Sequence, residues 1–235
     1  MLVPNSFLHL PFHFDPDKLK AELRSCLQQS WTPHFNPRDY RGEWNIIALR
    51  SLGGREHHIT AYPNPFYQNT PLLQKCPAFQ EVLEAFECEK HAVRLMALMP
   101  GGYIREHCDD GLEYEGGIFR IHVPITTHAQ VSFRLNGQLI PMTEGSCWYA
   151  NFELPHAVQN RGSAPRVHLV MDCLRNAWSD ALFKANGYVF GAAPAKTQTI
   201  RPEDIPLVID SLLQMGTEAA LKEVARLRRV NSKKI

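Results

Sequence analysis

The chain has no Cys-x-x-Cys pair, no internal repeat, no low-complexity tract and no excess of charge of either sign. Its six cysteines, Cys26, Cys76, Cys88, Cys108, Cys147 and Cys173, are scattered, so in a chain of 235 residues they read as reduced thiols rather than a disulfide framework. A formal net charge of +1 leaves no overall field to draw a nucleic acid or an anionic membrane. The one basic run, Arg226-Leu227-Arg228-Arg229 with Lys233-Lys234, is terminal and reads as a solvated helix end and tail. No apolar stretch approaches the roughly 18 residues that would span a bilayer. The first residues carry no basic group ahead of their apolar positions and are broken by Pro4, His9, Pro11 and His13, unlike a secretory leader. These absences predict a cytoplasmic protein with neither a nucleic-acid nor a membrane partner.

What is present is ordinary globular material, 44% hydrophobic and 21% charged, enough for one well-filled domain with appendages. Asp15 followed by Pro16 and apolar residues three and four apart predicts a capped helix to about Gln29. Trp44 to Leu49 reads as a strand closed by Gly53-Gly54, and Pro77 to Phe86 has helical spacing in Phe79, Val82, Leu83 and Phe86. Residues 1–90 are therefore expected to form a mixed α/β layer packed on the outside of a strand-rich core. From Val93 the texture changes to short strands and tight turns: Val93–Met99, Tyr103–Arg105, Ile118–Ile125, Val131–Leu135, Gln138–Met142, Ser146–Phe152 and Arg166–Cys173. Asn136-Gly137 is a strong hairpin signal between two of them. This spacing predicts a mainly β fold, an antiparallel sandwich or barrel, with flanking helices. The expected division is a jelly-roll-sized β domain over 1–178, with its barrel core in 91–178, and a helical extension over 179–235. Pro202–Gln214 and Thr217–Val230 would supply the extension's helices, which could also make a homodimer contact.

The chemistry-bearing residues gather in the strand-rich half. His107 and Asp109 stand two apart, His156 follows far downstream, and Arg166 lies ten residues beyond it. Two imidazoles and one carboxylate can occupy one face of a six-coordinate metal and leave the other open, the ligand set of non-haem Fe(II) enzymes that activate oxygen. Asp110 is the rival carboxylate, but only Asp109 has the two-residue spacing that sends both side chains to one face. Arginine offers a planar fork shaped to hold a carboxylate through two parallel hydrogen bonds. Together these residues suggest Fe(II), O₂ and an organic-acid co-substrate such as 2-oxoglutarate.

Alternation adds to this reading. In Arg120–Ile125 and again in Arg166–Met171 the aliphatic residues share one face, and an Arg-x-His pair, Arg120/His122 or Arg166/His168, shares the other. That polar face either meets solvent, as in a half-buried sheet, or lines a barrel interior, where an arginine would need an anion. His168 is given no role. Arg105, Trp148 and Asn151 are further candidates for the pocket.

Four stretches between Met96 and about Trp178 carry a family resemblance: Met99-Pro100-Gly101-Gly102-Tyr103-Ile104-Arg105-Glu106-His107-Cys108-Asp109, Phe119–Ile125, Glu144–Asn160 and Arg166–Asp172. They resemble the aspartyl/asparaginyl β-hydroxylases among the Fe(II)/2-oxoglutarate-dependent dioxygenases, a family that includes free-proline hydroxylases. The resemblance implies a double-stranded β-helix (jelly roll) with helices around it. It implies iron on His107, Asp109 and His156, and 2-oxoglutarate contacts from Arg166 and the Arg120/His122 pair. Hydroxylation of an unactivated carbon would accompany release of succinate and CO₂. The substrate would be a free amino acid of the L-proline type, or an aspartyl or asparaginyl residue in a peptide or protein. Unlike the animal aspartyl hydroxylase, which lacks the acidic ligand, this chain has a complete triad. Two rival readings are a cupin-like metalloprotein that does not use 2-oxoglutarate and a non-catalytic binding or sensor protein on the same scaffold.

Overall fold

A computed structural model describes residues 4–61 and 66–191 and the isolated positions 209, 213 and 224. The chain divides into two compact units, Met1–Ala195 and Lys196–Ile235. The helices expected in Pro202–Gln214 and Thr217–Val230, and any dimer contact through them, lie outside the described residues apart from those three positions.

In chain order the elements are β1 (Phe7–His13), α1 (Pro16–Cys26), β2 (Thr32–Pro33), β3 (Tyr40–Arg41), β4 (Trp44–Leu52), β5 (Tyr67–Asn69), α2 (Pro77–Glu84), β6 (Lys90–Leu98), β7 (Tyr103–His107), β8 (Ile118–Thr126), β9 (Val131–Leu135), β10 (Gln138–Leu139), β11 (Ser146–Ala150), β12 (His156–Asn160), β13 (Arg166–Leu174) and α3 (Ala177–Ala185). Helix α1 starts where expected because the Asp15 carboxylate accepts from the Asp17 and Lys18 backbone N–H groups, and Pro16 needs no partner at the first position. The hairpin at Asn136-Gly137 is present, with φ of 47° and 77° at the two turn residues, the left-handed pair that a two-residue loop requires. Its second strand is shorter than predicted, ending at Leu139 just before Ile140-Pro141.

The strands form two sheets. The larger runs β1-β11-β8-β13-β6-β4-β2, with β5 beside β4, and the smaller runs β10-β9-β12-β7-β3. Every pairing is antiparallel. Alternation gives the larger sheet two different faces. Ile121, Val123 and Ile125 of β8 with Val167, Leu169 and Met171 of β13 form an outer apolar layer together with Leu19 and Leu23 of α1, Phe79 and Val82 of α2, and Phe183 of α3. The inner face meets the smaller sheet through a second cluster that includes Ile46, Met96, Leu98, Ile104, Phe133, Leu135, Val158 and Val170. This is the predicted double-stranded β-helix with helices on one side.

Two expectations need revision. The first ninety residues are not simply an outer layer, because β1 pairs with β11 and β4 pairs with β6 inside the larger sheet. The boundary drawn after residue 178 falls within α3. Phe183 of that helix is fully buried and stacks on Tyr114 with ring centroids 3.8 Å apart, so the helix is part of the first unit's core.

Candidate active site

The three expected ligands converge between the sheets. His107 ends β7 and His156 opens β12, and these two residues face each other in the strand register. Asp109 follows two residues after His107, its backbone N–H held by the Phe152 carbonyl at 2.9 Å. One ligand atom from each of His107, Asp109 and His156 lies within 4.8 Å of the others. Asp110 is exposed and is not part of that group. His107 Nδ1 lies 2.8 Å from the Arg105 carbonyl and His156 Nδ1 3.0 Å from the Leu154 carbonyl. A carbonyl can only accept, so both Nδ1 atoms donate a proton there, and Nε2 is the atom each ring has left to offer a metal. Burial, then the neighbouring His107, hold His156 down at about 4, so its ring is neutral. Two imidazoles anchored through Nδ1 and an ionised carboxylate fit a ferrous ion.

The carboxylate ligand is held by a buried chain of charges. Arg120 Nη1 donates to Asp109 Oδ2 at 2.7 Å, while its Nε and Nη2 donate to the two oxygens of Asp172 at 2.6 and 3.2 Å. Asp172 also accepts from Arg94 Nη2 at 2.5 Å. Asp172 and Arg120 face each other across β13 and β8. Burial pushes the Asp109 carboxyl up, but Arg120 and the two ligand histidines outweigh it and hold it below the usual carboxylate range. Asp172 is held low in the same way, against burial, by Arg120 and Arg94. Arg120 therefore has partners other than those the resemblance implies. With three of its nitrogens committed to Asp109 and Asp172, it orients a metal ligand, and contact with a co-substrate would require it to exchange partners.

Arg166 is in the opposite condition. It is 3% exposed, and its Nη2 reaches only the Nδ1 of His168 at 2.9 Å. Its Nε is buried without a hydrogen-bond partner among the described residues. Burial alone pulls this guanidinium down to about 9, still charged at neutral pH and without a counter-ion among the described residues. His168 Nδ1 accepts that bond, so the contact from His122 Nδ1 at 3.2 Å must also be a donation, which leaves His122 Nε2 as a lone pair. That Nε2 is buried and without a partner among the described residues. His122 and His168 are both kept neutral, first by burial and then by Arg166. The polar face of β8 and β13 thus points into the barrel, which decides the alternative that alternation left open.

A cavity of about 590 Å³ connects these groups, a size typical of small-molecule sites. The three ligands, Arg120, His122, Arg166, Arg94 and Asp172 line it, and its outer wall comes from the first ninety residues, chiefly His34, Asp39 and Trp44. His34 stacks on Trp44 with centroids 3.7 Å apart. Arg105, Trp148 and Asn151 do not line the cavity. Arg105 donates to the Arg38 carbonyl at 2.7 Å, Trp148 Nε1 to Ser146 Oγ at 2.7 Å, and Asn151 caps a turn at Glu153. Arg94 and Asp172 were not among the expected site residues, although both lie within strands that the sequence pattern marks. The strand that His156 opens was also missed, although His156–Asn160 alternates between buried and half-buried positions.

The family model described as aspartyl/asparaginyl β-hydroxylase matches residues 14–176. The chain is 25% identical over 175 residues to L-proline cis-4-hydroxylase of Rhizobium meliloti (strain 1021), an alignment covering 73% of this chain and 61% of that protein. Among solved structures, a Pseudomonas putida prolyl-4-hydroxylase is similar at a TM-score of 0.45, with 14% identity over 73% of this chain and 94% of that one. An oxidoreductase of the 2OG-Fe(II) oxygenase family from Burkholderia pseudomallei is similar at a TM-score of 0.47, with 12% identity over 79% of this chain and 88% of that one. The family match takes in β4 and β6, the three converging side chains and the whole of β13, and by it this chain belongs to the aspartyl/asparaginyl β-hydroxylase family.

Proposed function

We propose that this chain is an Fe(II)/2-oxoglutarate-dependent dioxygenase that hydroxylates an unactivated carbon of an amino acid, releasing succinate and CO₂. The observation that carries the reading is a cavity holding both a metal-ready triad and a buried guanidinium with no counter-ion among the described residues. His107, Asp109 and His156 would hold the metal, and Arg120 keeps Asp109 ionised and aimed. Arg166 would take the far carboxylate of 2-oxoglutarate, removing the cost of an unpaired buried charge. Bound ferrous iron supplies the oxygen chemistry, coupled to oxidative decarboxylation of the keto acid. The protein orders the reactants and excludes bulk water.

Two substrate classes compete. The family description points to aspartyl or asparaginyl residues, and the rhizobial relative's name points to free L-proline. The free amino acid is favoured here because the triad lines a cavity of about 590 Å³, a size that suits a small molecule. A cupin-like centre without 2-oxoglutarate would have no use for Arg166. A reducing, cytoplasmic setting suits ferrous iron, and no disulfide is formed among the described residues. Among the described residues no helix is long and apolar enough to cross a membrane.

The test is an anaerobic screen, by mass spectrometry, for small molecules retained with the iron-loaded protein and 2-oxoglutarate, followed by exposure to oxygen. Succinate together with a product heavier by one oxygen atom is the expected result. Oxygen consumption without succinate would point to the cupin-like alternative.

A further inference from the structure

His168 is buried, 1% exposed, and does not line the cavity that holds the triad. It lines a second cavity, of about 440 Å³. Strand β12 starts at the triad with His156 and runs away from it, and the chain turns back into β13 at Arg166. The second cavity therefore lies at the other end of the barrel, between the β8–β9 connection and the segment that joins β10 to β11. Arg166 and Phe133 line both cavities and form the partition between them.

The partition side of this rear cavity offers donors. Arg166 Nη2 donates to His168 Nδ1, so the proton of the neutral His168 ring sits on Nε2. That N–H and the guanidinium belong to the same wall, and Arg166 Nε has no partner among the described residues. Buried donors left unpaired are costly, and at a cavity wall they indicate a ligand acceptor. Among the described residues of the lining the one carboxylate is Glu144, and its charge is already matched. Its Oε2 accepts from Lys20 Nζ at 2.5 Å and its Oε1 from the Thr127 backbone N–H at 3.2 Å. The remaining wall is largely apolar, with Val131, Leu139, Ile140 and Met142. Ile140 and Met142 are buried, while Leu139 is 57% exposed, which puts it at the mouth.

We propose that the rear cavity binds a free medium-chain aliphatic monocarboxylate, its head group on Arg166 and His168 and its chain along Val131, Leu139, Ile140 and Met142. The planar guanidinium fork fits a carboxylate, and an apolar chain gains by burial against those walls. A dicarboxylate would press its second charge against an apolar wall. An acid in the rear cavity and 2-oxoglutarate in the triad cavity would share one guanidinium from opposite sides, so each weakens the other. Binding in the rear cavity itself needs neither iron nor 2-oxoglutarate, and it stands apart from the reading of the triad.

Calorimetric titration of the metal-free wild-type protein tests this with octanoate, hexanoate, butyrate and octanamide. Octanoate should bind, and each methylene removed should weaken binding by up to about fourfold. Octanamide should bind about thirtyfold more weakly or worse, as when one partner of a buried charge pair is lost. Leu139→Glu sets a like charge at the mouth and should weaken octanoate about tenfold or more. Val131→Trp fills the chamber and should do the same. Both variants should keep wild-type affinity for 2-oxoglutarate when loaded with Fe(II) under argon. In the iron-loaded wild-type protein, octanoate should raise the apparent Kd for 2-oxoglutarate. The proposal is overturned if octanoate does not bind, or if octanamide binds as well as the acid. Unchanged octanoate binding by both variants would place the acid in the triad cavity and overturn it equally. Normal octanoate binding by a protein that takes no 2-oxoglutarate would support the rear site and bring down the reading of the triad cavity instead. The ligand series does not depend on any variant folding.

Discussion

Replacing Arg166 by methionine should have two effects of opposite sign. In the ligand-free protein the guanidinium is buried, makes one side-chain hydrogen bond, to His168, and has no counter-ion among the described residues, so the fold bears its desolvation. Exchanging buried charge for an apolar side chain of similar volume is neutral or stabilising by roughly 1–4 kcal/mol. The lost bond to His168 takes back about 1 kcal/mol. A net gain of about 1–2 kcal/mol corresponds to a rise in Tm of very roughly 2–8 °C for a unit of this size. With 2-oxoglutarate the sign reverses, because the variant cannot pair the far carboxylate. Losing one partner of a buried charge pair costs about 2–5 kcal/mol, which weakens binding from roughly thirtyfold to several-thousandfold. Scanning calorimetry of both proteins, with and without Fe(II) and 2-oxoglutarate under argon, reads both effects. Iron binding should be unchanged. A variant that is strongly destabilised when empty yet keeps its 2-oxoglutarate stabilisation would refute the reasoning and move the carboxylate clamp elsewhere.

His107→Ala or His156→Ala should abolish stoichiometric Fe(II) binding and succinate formation together, because each removes one of the two imidazole donors of the triad; normal succinate release by either variant would overturn the ligand assignment. Asp172→Asn leaves Arg94 and Arg120 without their shared counter-ion and should destabilise the protein by about 3–5 kcal/mol. The same change loosens Asp109 and should lower iron affinity about 10–100-fold, as loss of a ligand's supporting partner does; urea unfolding and metal titration check the two. Phe183→Ala should cost about 3–5 kcal/mol in a single cooperative transition, since α3 is built into the first unit's core; a separate early transition would show the helix to be an independent extension.

Much of the fold was legible because alternation is a local property. Ile121, Val123 and Ile125 mark the outer face of β8 without reference to any other strand, and Asn136-Gly137 marks a hairpin because few other residues accept two left-handed conformations. The strand His156–Asn160 was harder to see, since its outward positions carry no apolar signal and the chain enters it from Leu154-Pro155. Strand β4 could be drawn but not placed, and β1 was not drawn at all, because sheet order depends on partners distant in sequence.

The sequence by itself determined the donor set: a His-x-Asp pair, a distant histidine and an arginine ten residues beyond, on strands whose other face is apolar. Those choices follow from side-chain chemistry and the two-residue period of a strand. Only the tertiary structure decided which charges find each other. Arg120, Asp172 and Arg94 come from three strands that are neighbours in the sheet and far apart in the chain. Their pairing leaves Arg166 alone with a histidine. A buried charge is defined by what surrounds it, and those surroundings exist only once β8, β13 and β6 lie side by side.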